Sequence, residues 1–239
     1  MGALVAAIRT GDVDSLRLLL SEHPALAQAR VGNAVPWCTD TRSLLHVVTD
    51  WPGHLPNGAA SVAVLVAAGA EVDARFDGQH HETALHWAAS SDDVEVLDAL
   101  LDAGADIEAA GAVIAGGTAL SDAVAFGQWH AARRLVERGA NVPLREAAAL
   151  GLADRVESVW AQPGPPTPEE TTEAFWYACH GGQRATAEYL LGRGAGRDWV
   201  STWDGLTPLD AAIRSEAHDL VDWLRVEGAR TAAEVVPGP

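Results

Sequence analysis

The sequence predicts an all-α solenoid of about seven helix–turn–helix units rather than one compact core. The first observation is a returning phrase. Thr83-Ala84-Leu85-His86-Trp87-Ala88-Ala89 closes at Leu100-Leu101-Asp102-Ala103-Gly104-Ala105. It returns as Thr118-Ala119-Leu120, closing at Gly139-Ala140, and as Thr207-Pro208-Leu209-Asp210-Ala211-Ala212, closing at Gly228-Ala229. The second is its interval of about 33 residues, room for two short helices and a turn. The third is helical spacing of the apolar residues, as in Leu16, Leu19 and Leu20.

The units run approximately over 1–35, 36–70, 71–105, 106–140, 141–168, 169–196 and 197–230, a single domain over 1–230 followed by a flexible tail at 231–239. The first has no opening turn and begins at Leu4-Val5-Ala6-Ala7-Ile8. The second runs from Ser43-Leu44-Leu45-His46 to Gly69-Ala70, and the third and fourth are the cleanest copies. The fifth opens on Val142-Pro143-Leu144 without a threonine. The sixth begins near Thr172 and closes at Gly194-Ala195, and the seventh closes at Gly228-Ala229. Within a unit the opening Thr caps the first helix by accepting a backbone N–H. The paired alanines keep that helix slim enough to stack closely. The Leu-Leu pair fills the space between units, and the closing Gly takes the left-handed conformation that stops a helix.

On these residues the chain resembles the ankyrin-repeat family over essentially residues 1–230. Thr83-Ala84-Leu85-His86 and Thr207-Pro208-Leu209-Asp210 resemble its Thr-Pro-Leu-His opening, and the Gly-Ala closings match. The resemblance implies a curved stack with first helices on a concave face and long turns projecting beside it. It implies partner proteins, and it carries no catalytic residue across. It also implies a structural hydrogen bond between turns for His46 and His86.

Composition excludes several classes. The chain has 239 residues and a net charge of -17, from 33 acidic and 16 basic residues, every one of the latter arginine. Such a field repels nucleic-acid phosphates and anionic membranes. No apolar run reaches the ~20 residues of a membrane span, and the first residues lack the pattern of an export signal. A cytoplasmic location and no cofactor are expected. Cys38 and Cys179 form no disulfide framework and lack the neighbours of a metal site.

Three departures from a plain repeat point to a site. The second unit carries an insertion within Asp50-Trp51-Pro52-Gly53-His54-Leu55-Pro56-Asn57-Gly58, a Pro- and Gly-marked loop that is either a binding element or a lid on its own unit. The turn before Thr83 carries His80-His81-Glu82, whose imidazoles and carboxylate suit proton carriage or hydrogen bonding; as a metal site they lack further ligands. Aromatic residues are the third departure. Just after the opening His, one inward row reads Val47, Trp87, Asp122, Glu146, Tyr177, Ala211; one turn along, the next reads Asp50, Ser90, Ala125, Ala149, His180, Arg214. Trp87 and Asp122 are therefore expected to share one groove with Asp50 and Ser90, with Trp51 and His81 overhanging one end and Tyr177 and His180 closing the other. The aromatic rings need a cover, which is a ligand, a partner side chain or the chain's own loops.

Two functions remain open. One is a binding module whose groove holds a protein segment or a small organic molecule. Its ligand-binding residues are Trp51, His80, Glu82, Trp87, Ser90, Phe126 and Tyr177, and its acids favour a cationic partner. The other is a cofactor-independent acid–base enzyme of dehydratase, isomerase or cyclase type acting on a small apolar substrate. Its catalytic residues are Asp50, His54, His81, Asp122 and His180. No phosphate loop, zinc phrase or nucleophile elbow is present. Cys179 falls on the slim alanine position beside His180, where the two side chains splay apart.

Overall fold

The structure is a computed structural model that describes residues 1–32 and 40–235. Cys38 and the closing Pro237-Gly238-Pro239 therefore lie outside the described residues. The chain groups into two compact units, Met1–Asn141 and Val142–Pro239.

In the first unit, α1 (Gly2–Thr10) pairs with α2 (Val13–Glu22), which a 3-10 turn (Pro24–Gln28) follows. Next come the antiparallel strands β1 (Arg30–Gly32) and β2 (Thr41–Ser43), with Val31 opposite Arg42. Three further helix pairs complete the unit: α3 (Leu44–Val48) with α4 (Gly58–Ala67), α5 (Ala84–Ser90) with α6 (Val94–Asp102), and α7 (Ala119–Ala125) with α8 (Trp129–Glu137). Capping follows the expected chemistry in part, since Thr118, the opening threonine of α7, makes no side-chain cap bond. Thr83 and His86 form a reciprocal capping box, and the Asp93 carboxylate accepts the Val96 N–H at 3.3 Å. Gly104 and Gly139 end their helices at φ 92° and 94°, a region costly for any residue with a β-carbon. Leu45, Leu65, Leu85, Leu97, Leu100, Leu120 and Leu135 are buried between the helices. Ala88, Ala89 and Ala123 are buried too, which lets the first helices approach.

Turns are tied at the spacing of the repeat. The Asp73 carboxylate accepts the Asp106 N–H at 3.1 Å, and Glu108 accepts the Asn141 N–H at 2.7 Å, each across 33 residues. Two of the acidic residues thus satisfy backbone donors of the next turn.

The second unit contains α9 (Leu144–Leu150), α10 (Ala153–Trp160), α11 (Pro168–His180), α12 (Arg184–Leu191), α13 (Pro208–Arg214) and α14 (His218–Val226). Helix α11 starts earlier than the sequence reading near Thr172. Thr167-Pro168-Glu169-Glu170 is a capping box with proline at the first helical position, and it nucleates the helix there. Residues beyond 230, read as a loose tail, include a short helix α15 (Ala232–Val235). The Arg225–Glu234 ion pair at 2.9 Å and the Thr231–Glu234 hydrogen bond at 2.9 Å hold it. No helix among the described residues is long and apolar enough to cross a membrane.

Candidate functional site

The first unit holds a cavity of about 530 Å³ on the side formed by the first helices and the turns that precede them. Three rows of equivalent positions build it. Arg42 and Glu82 sit just before the caps Ser43 and Thr83. Asp50 and Ser90 end the first helices' inner face. Trp51, Ser91 and Phe126 follow one residue further on, the last two as C-caps of α5 and α7. Trp87 forms the wall between these rows, and Phe76 and Val113 enter from the projecting turns.

The Trp87 ring is held on several sides. The His46 imidazole meets it edge-on with centroids 4.8 Å apart, and the Phe76 ring lies tilted at 5.4 Å. Its indole N–H donates to the Glu82 carboxylate. His46 is in turn fixed at both nitrogens. Nδ1 lies 2.8 Å from Ser43 Oγ and Nε2 lies 3.1 Å from the Glu82 carbonyl oxygen. His86 repeats the pattern one unit on. Its Nδ1 accepts the Thr83 N–H at 3.2 Å, so Nε2 carries the proton and faces the Gly117 carbonyl at 3.5 Å. Burial lowers the pKa of both imidazoles to about 4, so both are neutral struts.

Asp50 is anchored at the rim by Arg42 at 3.0 Å and Arg9 at 3.4 Å. Glu82 is 7% exposed, and burial raises its carboxyl pKa, against the pull of the Trp87 indole and the His80 charge. Asp122 does not reach the cavity wall. The turn carrying Val113 folds over it, and its Oδ1 accepts the Val113 N–H at 3.1 Å. It is 0% exposed, and Oδ2 has no hydrogen-bond partner among the described residues. Burial and then the neighbouring Glu82 charge push its pKa up to about 7. The inner-row reading of Asp122 holds for the helix face but not for solvent access, because row arithmetic is blind to a turn closing over the side chain.

The insertion is a fixed structure. Gly53 and Gly11, at φ 79° and 67°, leave no room for a β-carbon against Ser91 and Pro56 respectively. Asn57 donates to the Gly11 carbonyl at 2.9 Å. The His54 N–H donates to Asp93 at 2.7 Å, and the His54 Nε2 lies 2.9 Å from the Ser91 carbonyl. This histidine thus pins the loop to the next helix pair and does not face the cavity. Trp51 is left 87% exposed on the cavity side. His80 and His81 are absent from the cavity wall; His81 is exposed, with its carbonyl accepting from Arg75 at 3.0 Å.

The remaining predicted residues, Tyr177 and His180, belong to the second unit. Tyr177 is buried against Trp176 and Trp203, at 5.3 and 5.8 Å between centroids, with the Arg145 guanidinium 5.7 Å from its ring. Burial raises its phenol pKa to about 12. His180 is buried, its Nδ1 3.3 Å from an Arg214 nitrogen. Trp176 takes over the repeat histidine's task, donating its indole N–H to the Leu206 carbonyl at 3.1 Å. Cys179 is fully buried, and burial pushes its thiol pKa up, which leaves it inert. Among the described residues no group of three or more His, Cys, Asp or Glu side chains is arranged to hold a metal ion.

The family model of ankyrin repeats, in three copies, matches residues 55–146. This stretch is similar to ankyrin repeats. No curated protein matches it. Ankyrin repeats generally serve as protein-interaction modules, and the matched stretch supplies Phe76, Glu82, Trp87, Val113 and Phe126 to the cavity. Sequence reasoning missed Arg42, Thr49, Phe76, Ser91 and Val113. Arg42 was within reach, since it occupies the position before the cap that Glu82 fills one helix pair later.

Proposed function

We propose that this ankyrin-repeat chain is a protein-interaction module whose first unit grips a segment of a partner protein in the cavity beside Trp87. One observation carries the reading. Trp51 and Phe126 stand 87% and 49% exposed at the rim of a preformed cavity, on backbone held by fixed turns. Exposed aromatic rings on a rigid frame gain contact area at low entropic cost, and such anchors dominate binding energy. Peptide-display selection on the full chain, followed by affinity measurement, tests this. Selected peptides bind W87A and W51A at least about tenfold more weakly than wild type. Equal binding to both variants would remove the cavity from the interaction.

A second reading is a cofactor-independent acid–base enzyme acting on a small organic molecule in the same cavity. It draws on Asp122, which keeps its proton to about pH 7 behind the wall. The histidines assigned to it from sequence do not line the cavity, so its support narrows to the Glu82 and Asp122 carboxyls. It requires turnover of a small dehydration or isomerisation substrate that D122N removes while peptide binding persists.

A further inference from the structure

We infer that the cavity of the first unit recognises the cationic head of a lysine or arginine side chain on the partner segment, with Glu82 as its counter-ion. This rests on the interaction-module reading and adds the chemistry of what enters. The aromatic lining is the first support. Trp87 and Phe76 form a continuous wall, and Phe126 and Trp51 stand at the rim. Aromatic faces attract a cation through their negative quadrupole while burying the methylene stem that carries it.

The arrangement of the acids is the second support. Asp50 lines the cavity too, but Arg42 and Arg9 already engage it. Glu82 is different. It lines the cavity, it is nearly buried, and its carboxylate is turned by the Trp87 indole N–H, a single neutral donor. A carboxylate so held keeps acceptor capacity for an incoming N–H donor. Asp122 lies behind the wall, closed off by the Val113 turn, and leaves Glu82 as the acid that meets the guest. The net charge of -17 draws cationic segments to the surface as a whole. An anionic or purely apolar guest would leave Glu82 desolvated and uncompensated, a costly arrangement.

The test uses n-butylammonium chloride, which is the lysine head and stem alone, with 1-butanol as its uncharged counterpart at constant ionic strength. Both are titrated into the full-length protein while the indole N–H resonance of Trp87 is followed. Butylammonium moves that resonance with at least about tenfold higher affinity than butanol, and E82Q, checked for native circular dichroism, loses the difference. Equal response to the two compounds, no response to butylammonium, or an unchanged preference in E82Q would overturn the inference. Those outcomes leave the module reading standing wherever selected peptides still depend on Trp87. Peptides indifferent to W87A would instead strike at the module reading itself.

Discussion

The imidazole Nε2 of His46 lies 3.1 Å from the carbonyl oxygen of Glu82, so the histidine of one helix pair fixes the turn that opens the next. The same imidazole meets the Trp87 ring edge-on. Fold and site share this residue. H46A therefore does two things. It leaves buried polar groups unpaired, costing about 3 kcal/mol, and it frees the Trp87 wall. Urea unfolding followed by circular dichroism gives the first effect, and broadening of the Trp87 indole resonance gives the second.

Trp176 tests whether that strut is general. It donates to the Leu206 carbonyl at 3.1 Å, just before the cap Thr207, as the histidines donate just before theirs. W176F keeps an aromatic ring but removes the donor, and it is expected to lose about 1–2 kcal/mol. W176H restores the donor and is expected to recover part of that loss. The comparison of urea midpoints checks both.

Asp122 gives a pH signature. Its folded pKa of about 7 lies above its ordinary value of 3.8, so the folded state holds a proton that the unfolded state has released between those values. The stabilisation is full below the unfolded pKa and is lost as pH rises toward about 7. His46 and His86 act oppositely. Their folded pKa values of about 4 lie below 6.5, so their contribution is present above that value and is lost as pH falls. Stability of the wild type rises with pH through the histidine window. The difference D122N minus wild type isolates the aspartate. It grows in favour of D122N by about 3 kcal/mol from about pH 4 to above about pH 7. Urea midpoints of both proteins across that range measure it.

Trp51 separates binding from folding. It is 87% exposed, so W51A changes stability by no more than about 0.5 kcal/mol. Peptide affinity nevertheless falls. Gly53 is the opposite case. At φ 79° against Ser91, G53A strains the loop that carries Trp51 and lowers both stability and affinity. Calorimetric melting and peptide titration of the two variants make the comparison.

Much of this was readable in the sequence because repetition converts position into geometry. The Thr83 cap, the Gly104 and Gly139 stops, and the slim Ala88-Ala89 pair all follow from the period. So does the grouping of Trp87, Asp50 and Ser90 on one side. What escaped lies in the projecting turns, whose backbone obeys no simple period. Phe76 and Val113 swing into the cavity from there, and Val113 closes over Asp122. His54 looked like a loop base, yet it bonds Asp93 and Ser91 because the inserted loop needs an anchor. Composition names such a residue but not its partner. The start of α11 was legible in Thr167-Pro168-Glu169-Glu170, a local capping signal that lies outside the repeat phrase.

The most direct measurement is an indole N–H correlation spectrum of the full chain, assigned by single Trp→Phe variants, before and after adding a display-selected peptide. The Trp87 and Trp51 resonances are expected to move together while Trp129, Trp160 and Trp223 stay in place. A bound spectrum in which Trp87 is unmoved would contradict binding in the cavity.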